Sequence, residues 1–295
     1  EQHEACMALG TLTSGNVACS NRARNAGGIE ALVAVLHRHV ANERVYTMGC
    51  RALTHLTQCE ADIKRAGDAG AVEVAVAAMR KHAGDAVIQE ESCVALVMLT
   101  IGSYEINQTR AGNVDAIKAL VATLKKHSVI NQVQITACSA LCNLVADHAE
   151  NTVRALNAGA IRVILATMRR HAGIQQVQTP ACQFLGHVTR ASNCEGVAQA
   201  VTAGALEAVT AACKQHVADE TTQFWACLTL VNVTDGNMKN VARAVKAGAI
   251  HAVVAATYRH VGSEGVSQNA CMALLNLIIN NTEYMTQARN AGVIE

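Results

Sequence analysis

The sequence predicts an all-α chain built from stacked helical repeats, and three observations predict it. Aromatic residues make up 2% of the 295 positions and proline occurs once, at Pro180. Strands draw on aromatic and β-branched side chains, whereas an alanine-rich chain favours helix. Cys6, Cys50, Cys93, Cys138, Cys182, Cys227 and Cys271 recur at intervals of 44, 43, 45, 44, 45 and 44 residues. His39, His82, His127, His171, His216 and His260 keep the same period. Self-similarity at 40–50 residues is the signature of a helical repeat array.

Each unit reads as three helices in order. The first is short, as in "NMKNVARAVKAG", and carries a polar residue at Arg22, Arg65, Arg110, Arg154, Gln199, Arg243 and Gln287. It ends at a glycine, at Gly27, Gly70, Gly159, Gly204, Gly248 and Gly292, where a positive φ is expected. In the unit ending at His127 that slot holds Asp115; the nearby Gly112 is out of register. Asp115 is expected to cap the following helix through free backbone N–H groups.

The second helix runs from an aliphatic residue (Ile29, Val72, Ile117, Ile161, Leu206, Ile250, with Ile294 continuing the series) to the histidine. The third surrounds the cysteine, as in "QITACSALCNLV". A small residue precedes each cysteine, leucine follows three later, and Leu or Val six later. Those offsets make one buried stripe. The boundaries are a partial repeat at 1–14, full repeats at 15–58, 59–101, 102–146, 147–190, 191–235 and 236–279, and a partial repeat at 280–295. The chain opens inside a third helix and stops as a second begins, which would leave Ala5, Cys6, Leu9 and Leu12 facing water on one side. A window on a longer array is expected.

Composition narrows the function. Twenty-four Lys and Arg against 23 Asp and Glu give a formal charge of +1, which argues against a nucleic-acid partner. No apolar run reaches the roughly 18–20 residues of a membrane span, so no membrane insertion is expected. The opening residues "EQHEACMALG" lack a signal-peptide order. Twelve cysteines within apolar helical patterns read as reduced, buried thiols, which points to the cytoplasm or another reducing compartment such as the nucleus or an organelle matrix. Outside the ladder, Cys19, Cys59 and Cys194 are the expected exposed thiols. The triplets at Asn107, Asn232 and Asn280 match the glycosylation pattern by chance.

The recurring His–Cys pair raises the question of chemistry. A metal needs ligands converging within about 2.0–2.3 Å, while neighbouring repeats lie roughly 8–10 Å apart. The cysteine is therefore expected to pack, and the histidine to bond free carbonyls at its helix C-terminus and complement the dipole. Cys138 and Cys142 share a helical face and are expected to pack, and His148 is expected in a loop. No phosphate loop, nucleophile elbow or carboxylate pair is present. No enzyme, metal or cofactor is expected.

"EACMALGTL", "AGAIHAVVAA", "AGAIRVILA" and "ACMALLNL" resemble the armadillo repeat, over essentially the whole chain. The HEAT repeat is the nearest alternative and lacks the short first helix. The resemblance implies a right-handed superhelix of three-helix repeats, a solenoid whose third helices line a concave face that holds an extended peptide. In importin-like members a tryptophan and, four residues later, an asparagine form the holding ladder. Here the tryptophan slot holds Met7, Arg51, Val94, Ser139, Gln183, Leu228 and Met272, so recognition of basic import signals is not expected. The asparagine slot holds Thr11, His55, Met98, Asn143, His187, Asn232 and Asn276.

The expected function is thus a non-catalytic protein–protein interaction scaffold binding a peptide-like segment. Its candidate site residues are Asn143, Asn232, Asn276, His187, His55, Arg51, Gln183 and Arg190. Charges along the face are few and mixed (Arg51, Glu90, Arg190, Asp235), which disfavours a strongly charged ligand. The alternative is a fixed subunit of a large multiprotein assembly, using convex or edge surfaces.

Overall fold

Helices in this chain break where glycine lets the backbone turn left-handed. Gly27, Gly70, Gly159, Gly204 and Gly248 sit at φ between +70° and +95°, each at the N-cap of the helix that follows. In a computed structural model, the described residues are 4, 7, 8, 10, 11, 16–102, 105–190, 193–279 and 281–293. Among them the structure is helical with no strand. Ala5, Cys6, Leu9, Leu12, Asn280 and Ile294 lie outside the described residues.

The chain divides into two compact units, Glu1–Ala158 and Gly159–Glu295. In the first unit the helices are α1 (Val17–Asn25), α2 (Gly28–Arg38), α3 (Glu43–Leu56), α4 (Glu60–Asp68), α5 (Ala71–Lys81), α6 (Ala86–Thr100), α7 (Glu105–Asn113), α8 (Ala116–Lys126), α9 (Asn131–Val145) and α10 (Ala149–Asn157). The second holds α11 (Ala160–Arg170), α12 (Gln175–Val188), α13 (Cys194–Ala203), α14 (Ala205–Gln215), α15 (Glu220–Thr234), α16 (Met238–Ala247), α17 (Ala249–Arg259), α18 (Glu264–Ile278) and α19 (Thr282–Ala288), followed by a π-turn at Arg289–Val293. Short, second and third helices alternate throughout. No single helix among the described residues is long and apolar enough to cross a membrane.

The core follows the predicted stripe. Cys50, Cys93, Cys138, Cys182 and Cys227 are buried, with Leu53, Leu96, Leu141, Leu185 and Leu230 beside them. Cys271 departs from the pattern and is exposed, because no third helix packs beyond α18 among the described residues. Cys59 and Cys194 are exposed as expected, and Cys19 is half-buried.

One turn expectation is corrected. Asp115 adopts the left-handed conformation of the missing glycine (φ +59°) but makes no side-chain cap. Capping needs an extended backbone that aims the carboxylate at the first free amides. From its left-handed position Asp115 instead pairs with Lys118 at 2.9 Å. His148 lies in the connection before α10, as expected, and there serves as the N-cap: its Nδ1 accepts from the Asn151 amide at 3.3 Å.

Out-of-register Gly112 has its own reason. A Cβ there would sit 2.1 Å from both Asn151 Oδ1 and an Arg154 guanidinium nitrogen. Gly67 does the same for Asn107, which is fully buried and donates to the carbonyls of Leu99 and Ile63. These glycines admit the next short helix's asparagine, which bonds the end of the preceding third helix: Asn107 to Leu99 and Asn151 to Leu144; Asn240 bonds Val233 in the same way without a facing glycine.

Candidate functional site

The histidine ladder is the first site to settle. Four of the ladder rings, His82, His127, His216 and His260, reach across to the turn of the preceding repeat instead of capping their own helix. Nε2 lies 2.7 Å from the Val40 carbonyl in His82, 3.0 Å from Ala83 in His127, 2.7 Å from Ala172 in His216 and 2.7 Å from Val217 in His260. A carbonyl only accepts, so Nε2 carries the proton and donates. That nitrogen is not open to a metal.

In four units the carbonyls that the histidine was expected to satisfy are taken by a glutamine four residues before the cysteine. Gln89, Gln134, Gln178 and Gln223 each donate through Nε2 to two second-helix carbonyls at 2.9–3.1 Å. All four are buried. The sequence carries this signal as a fourth periodic residue, broken by Tyr46 before Cys50 and by Ser267 before Cys271.

Burial pushes the cysteine thiols up: Cys93, Cys142 and Cys182 to about 12 and Cys138 further still. Thiols held this far above neutral pH stay protonated and are poor nucleophiles. Both ladders are structural.

The third-helix faces carry the residues singled out for binding. In the first unit Asn143 donates to the Val97 carbonyl of the preceding third helix at 3.3 Å. In the second unit Asn232 donates to the Gly186 carbonyl at 3.4 Å, and Asn276 to that of Val231 at 3.3 Å. All three are half-buried. Their contacts lie at the long limit of a hydrogen bond. Among the described residues no donor reaches their Oδ1 atoms.

Arg51 is exposed and its Nε donates to Glu91 Oε1 at 2.6 Å. His55 and Gln183 are half-buried, and Arg190 is exposed. Glu90, beside Glu91, has its carboxyl raised by partial burial first and the neighbouring carboxylate second, with Arg51 opposing.

His187 is buried and stacks on Trp225, with ring centroids 4.7 Å apart and planes tilted by 44°. Trp225 also meets Phe224 edge-on at 5.1 Å. Gly186 makes room for it: a Cβ there would lie 2.6 Å from Trp225 Cε3. Seven residues, about two helical turns, separate Trp225 from Asn232, so the two share a face. Trp225 lies two residues before Cys227, outside the importin-like slot, and its two-turn spacing from Asn232 is the signal that places it on this face. Next to Asn232 opens a cleft of about 430 Å³, walled by Val197 and Val201 of α13 and by Asp235, Asn237 and Asn240, with Cys194 at its margin.

Three-helix units joined through left-handed turns, with asparagines on the third helices, define an armadillo-type repeat protein. Residues 57–247 match the family described as LRRK2 ARM repeat, and the chain belongs to that family. No curated protein matches it in sequence. A chain from a structure concerned with the interaction between cadherin and beta-catenin superposes with a TM-score of 0.80 at 19% identity, over 98% of this chain and 52% of that one. An engineered protein matches at 0.76 and 21%, over 98% and 78%. A designed armadillo repeat protein in complex with the peptide (KR)4 matches at 0.68 and 21%, over 84% and 99%. At these identities the likeness establishes the fold. Neither the family nor these structures bring in an enzyme.

Proposed function

We propose that the protein is a non-catalytic interaction scaffold whose third-helix, concave faces hold an extended segment of a partner protein. The observation that carries this is the state of the asparagines. Asn143, Asn232 and Asn276 are each oriented through Nδ2 by a long bond to a carbonyl, with Thr189 Oγ1 a second acceptor for Asn232, which leaves Oδ1 as an acceptor for a backbone N–H. Asparagine reads a peptide backbone without using charge. In the second unit Trp225 and His187 add an aromatic platform beside Asn232. Cadherin–beta-catenin and (KR)4-peptide structures among the folds it resembles support a protein or peptide ligand. Unlike (KR)4, the ligand of this face is not strongly charged, because Arg51 is already paired with Glu91 and few other charges stand there. It is not a nucleic acid, no membrane insertion is involved, and the buried reduced thiols suit a reducing compartment, the cytoplasm first.

The test is a quantitative pull-down with Asn143→Ala, Asn232→Ala and Asn276→Ala combined, alongside Trp225→Ala. Partners held by the wild-type chain should be lost from both. Undiminished capture by both variants sinks the proposal.

A second reading, a fixed subunit of a large assembly, rests on a different observation. Met272 and Leu275 on α18 and Ile279 at its C-cap form an apolar stripe, 46%, 60% and 53% exposed. Co-migration with a large complex at fixed stoichiometry, unaffected by the asparagine variants, would favour it.

A further inference from the structure

The cations of the first unit are unevenly placed. Basic residues pair at the C-terminal ends of its second helices, just before each ladder histidine: Arg38 on α2, Arg80 and Lys81 on α5, Lys125 and Lys126 on α8. Arg80 is engaged, donating to the Val114 carbonyl at 2.6 Å and standing 3.9 Å from Asp115. Arg38, Lys81, Lys125 and Lys126 are exposed and make no ion pair or hydrogen bond among the described residues. Most other cations of this unit are spoken for: Arg24 by Asp62, Arg65 by Glu30, Arg110 by Asp68, Arg154 by Glu150.

The histidine bonds make these residues a continuous row. His82 is tied to the Val40 carbonyl and His127 to that of Ala83, so the three turns lie side by side. Lys126 Nζ lies over the preceding turn, 3.6 Å from where a Cβ of Gly84 would be. Two carboxylates face the row, and one of them, Asp85, is engaged as a helix cap. Glu43 stands 4.0 Å from His82 Nδ1, and Asp85 caps α6 through the amides of Val87 and Ile88.

We infer that this edge docks an acidic, extended peptide segment of a partner protein, on a surface separate from the third-helix face. The row steps by one helix-packing distance per repeat, roughly 8–10 Å. That equals about three residues of extended chain at ~3.3 Å each, so carboxylates at every third position meet successive cations. Val129 is 68% exposed and Ile130 37% exposed at the Lys126 end, and they take an apolar residue at one terminus of the segment. A nucleic acid would engage a longer row of cations than these few provide. A membrane surface would call for more than two apolar residues at one end.

The test uses the full chain and fluorescence anisotropy with a labelled peptide carrying glutamate at every third position and a terminal leucine. Lys81→Glu combined with Lys126→Glu should weaken binding at least about tenfold, while Lys81→Arg with Lys126→Arg retains it. Added salt should weaken the wild-type complex. A peptide of the same composition with its glutamates blocked together should bind less well. Trp225→Ala should leave this binding unchanged, which separates its failure from that of the third-helix proposal. Affinity within about twofold of wild type in the charge-reversed variant overturns the inference. So does a wild-type preference for phosphatidylserine vesicles or single-stranded RNA over the peptide. Should the double variant fail to fold, Arg38→Glu reads the same row.

Discussion

His127 Nε2 donates to the carbonyl of Ala83 across 3.0 Å, from a ring that is only 6% exposed. The bond joins two repeats through their turns, where backbone carbonyls would otherwise lack a donor. Changing His127 to alanine removes the donor and leaves the carbonyl partly shielded from water. A loss of about 1–3 kcal/mol is expected, read as a lower urea midpoint. In an array stabilised by neighbour contacts, the doubly changed His82→Ala, His127→Ala chain should also unfold less cooperatively.

The same proton placement decides the metal question. With Nε2 donating and burial holding the Cys93 and Cys182 thiols up to about 12, neither group is prepared as a ligand. Purified protein should carry no stoichiometric zinc, and a chelator should leave its melting temperature unchanged. Zinc at one or more equivalents per chain, lost together with thermal stability on chelation, would show that the ladders had been misread.

Gln134 is fully buried and donates to the carbonyls of Leu124 and His127, both at 3.1 Å. Leucine nearly matches its volume and supplies no donor. Gln134→Leu should therefore cost about 1–3 kcal/mol for each carbonyl left without a partner. The check is a thermal melt against Gln132→Leu, an exposed position expected to change little.

The period of cysteines and histidines made the helix triplets legible, because repeat length is set by helix and turn lengths alone. The glycine slots were legible for the same reason, since only a few residues tolerate φ near +80°. What pairs with what was less so. Periodicity marks His127 as special but not whether it bonds its own helix or its neighbour's turn; that depends on how repeats stack. Asp115 shows the limit from the other side, its role reversed by one backbone angle. Trp225 is harder to place from sequence, because it stands outside the importin-like slot while the helix offers an equivalent place two turns from Asn232.

Glu90 gives the fold a pH dependence of definite sign. Partial burial and Glu91 raise its carboxyl above the ordinary value, so folding disfavours its charged form. Its contribution is fully present below the unfolded carboxyl value of about 4.3 and is lost as pH rises through the raised, folded one. Glu90→Gln should stabilise the chain at neutral pH and make little difference in mild acid. Urea midpoints across pH for both proteins check this; equal midpoints at neutral pH contradict it.

Gly186 and Trp225 provide a reporter on the proposed binding face. The chain has one tryptophan, packed against Gly186 and stacked on His187 at 4.7 Å. A methyl group at position 186 would fall 2.6 Å from the indole, closer than carbon atoms approach. The indole must then swing away from α12, toward solvent. Gly186→Ala should shift tryptophan emission to longer wavelength and cost about 1–3 kcal/mol through overpacking. His187→Ala should shift emission without steric strain. If an extended partner lies across this face, it will cover Trp225 and move emission the opposite way in the wild-type protein. It will do so far less in Gly186→Ala, where the platform is already displaced. An emission spectrum that ignores a partner shown by other means to bind would place that partner elsewhere on the molecule.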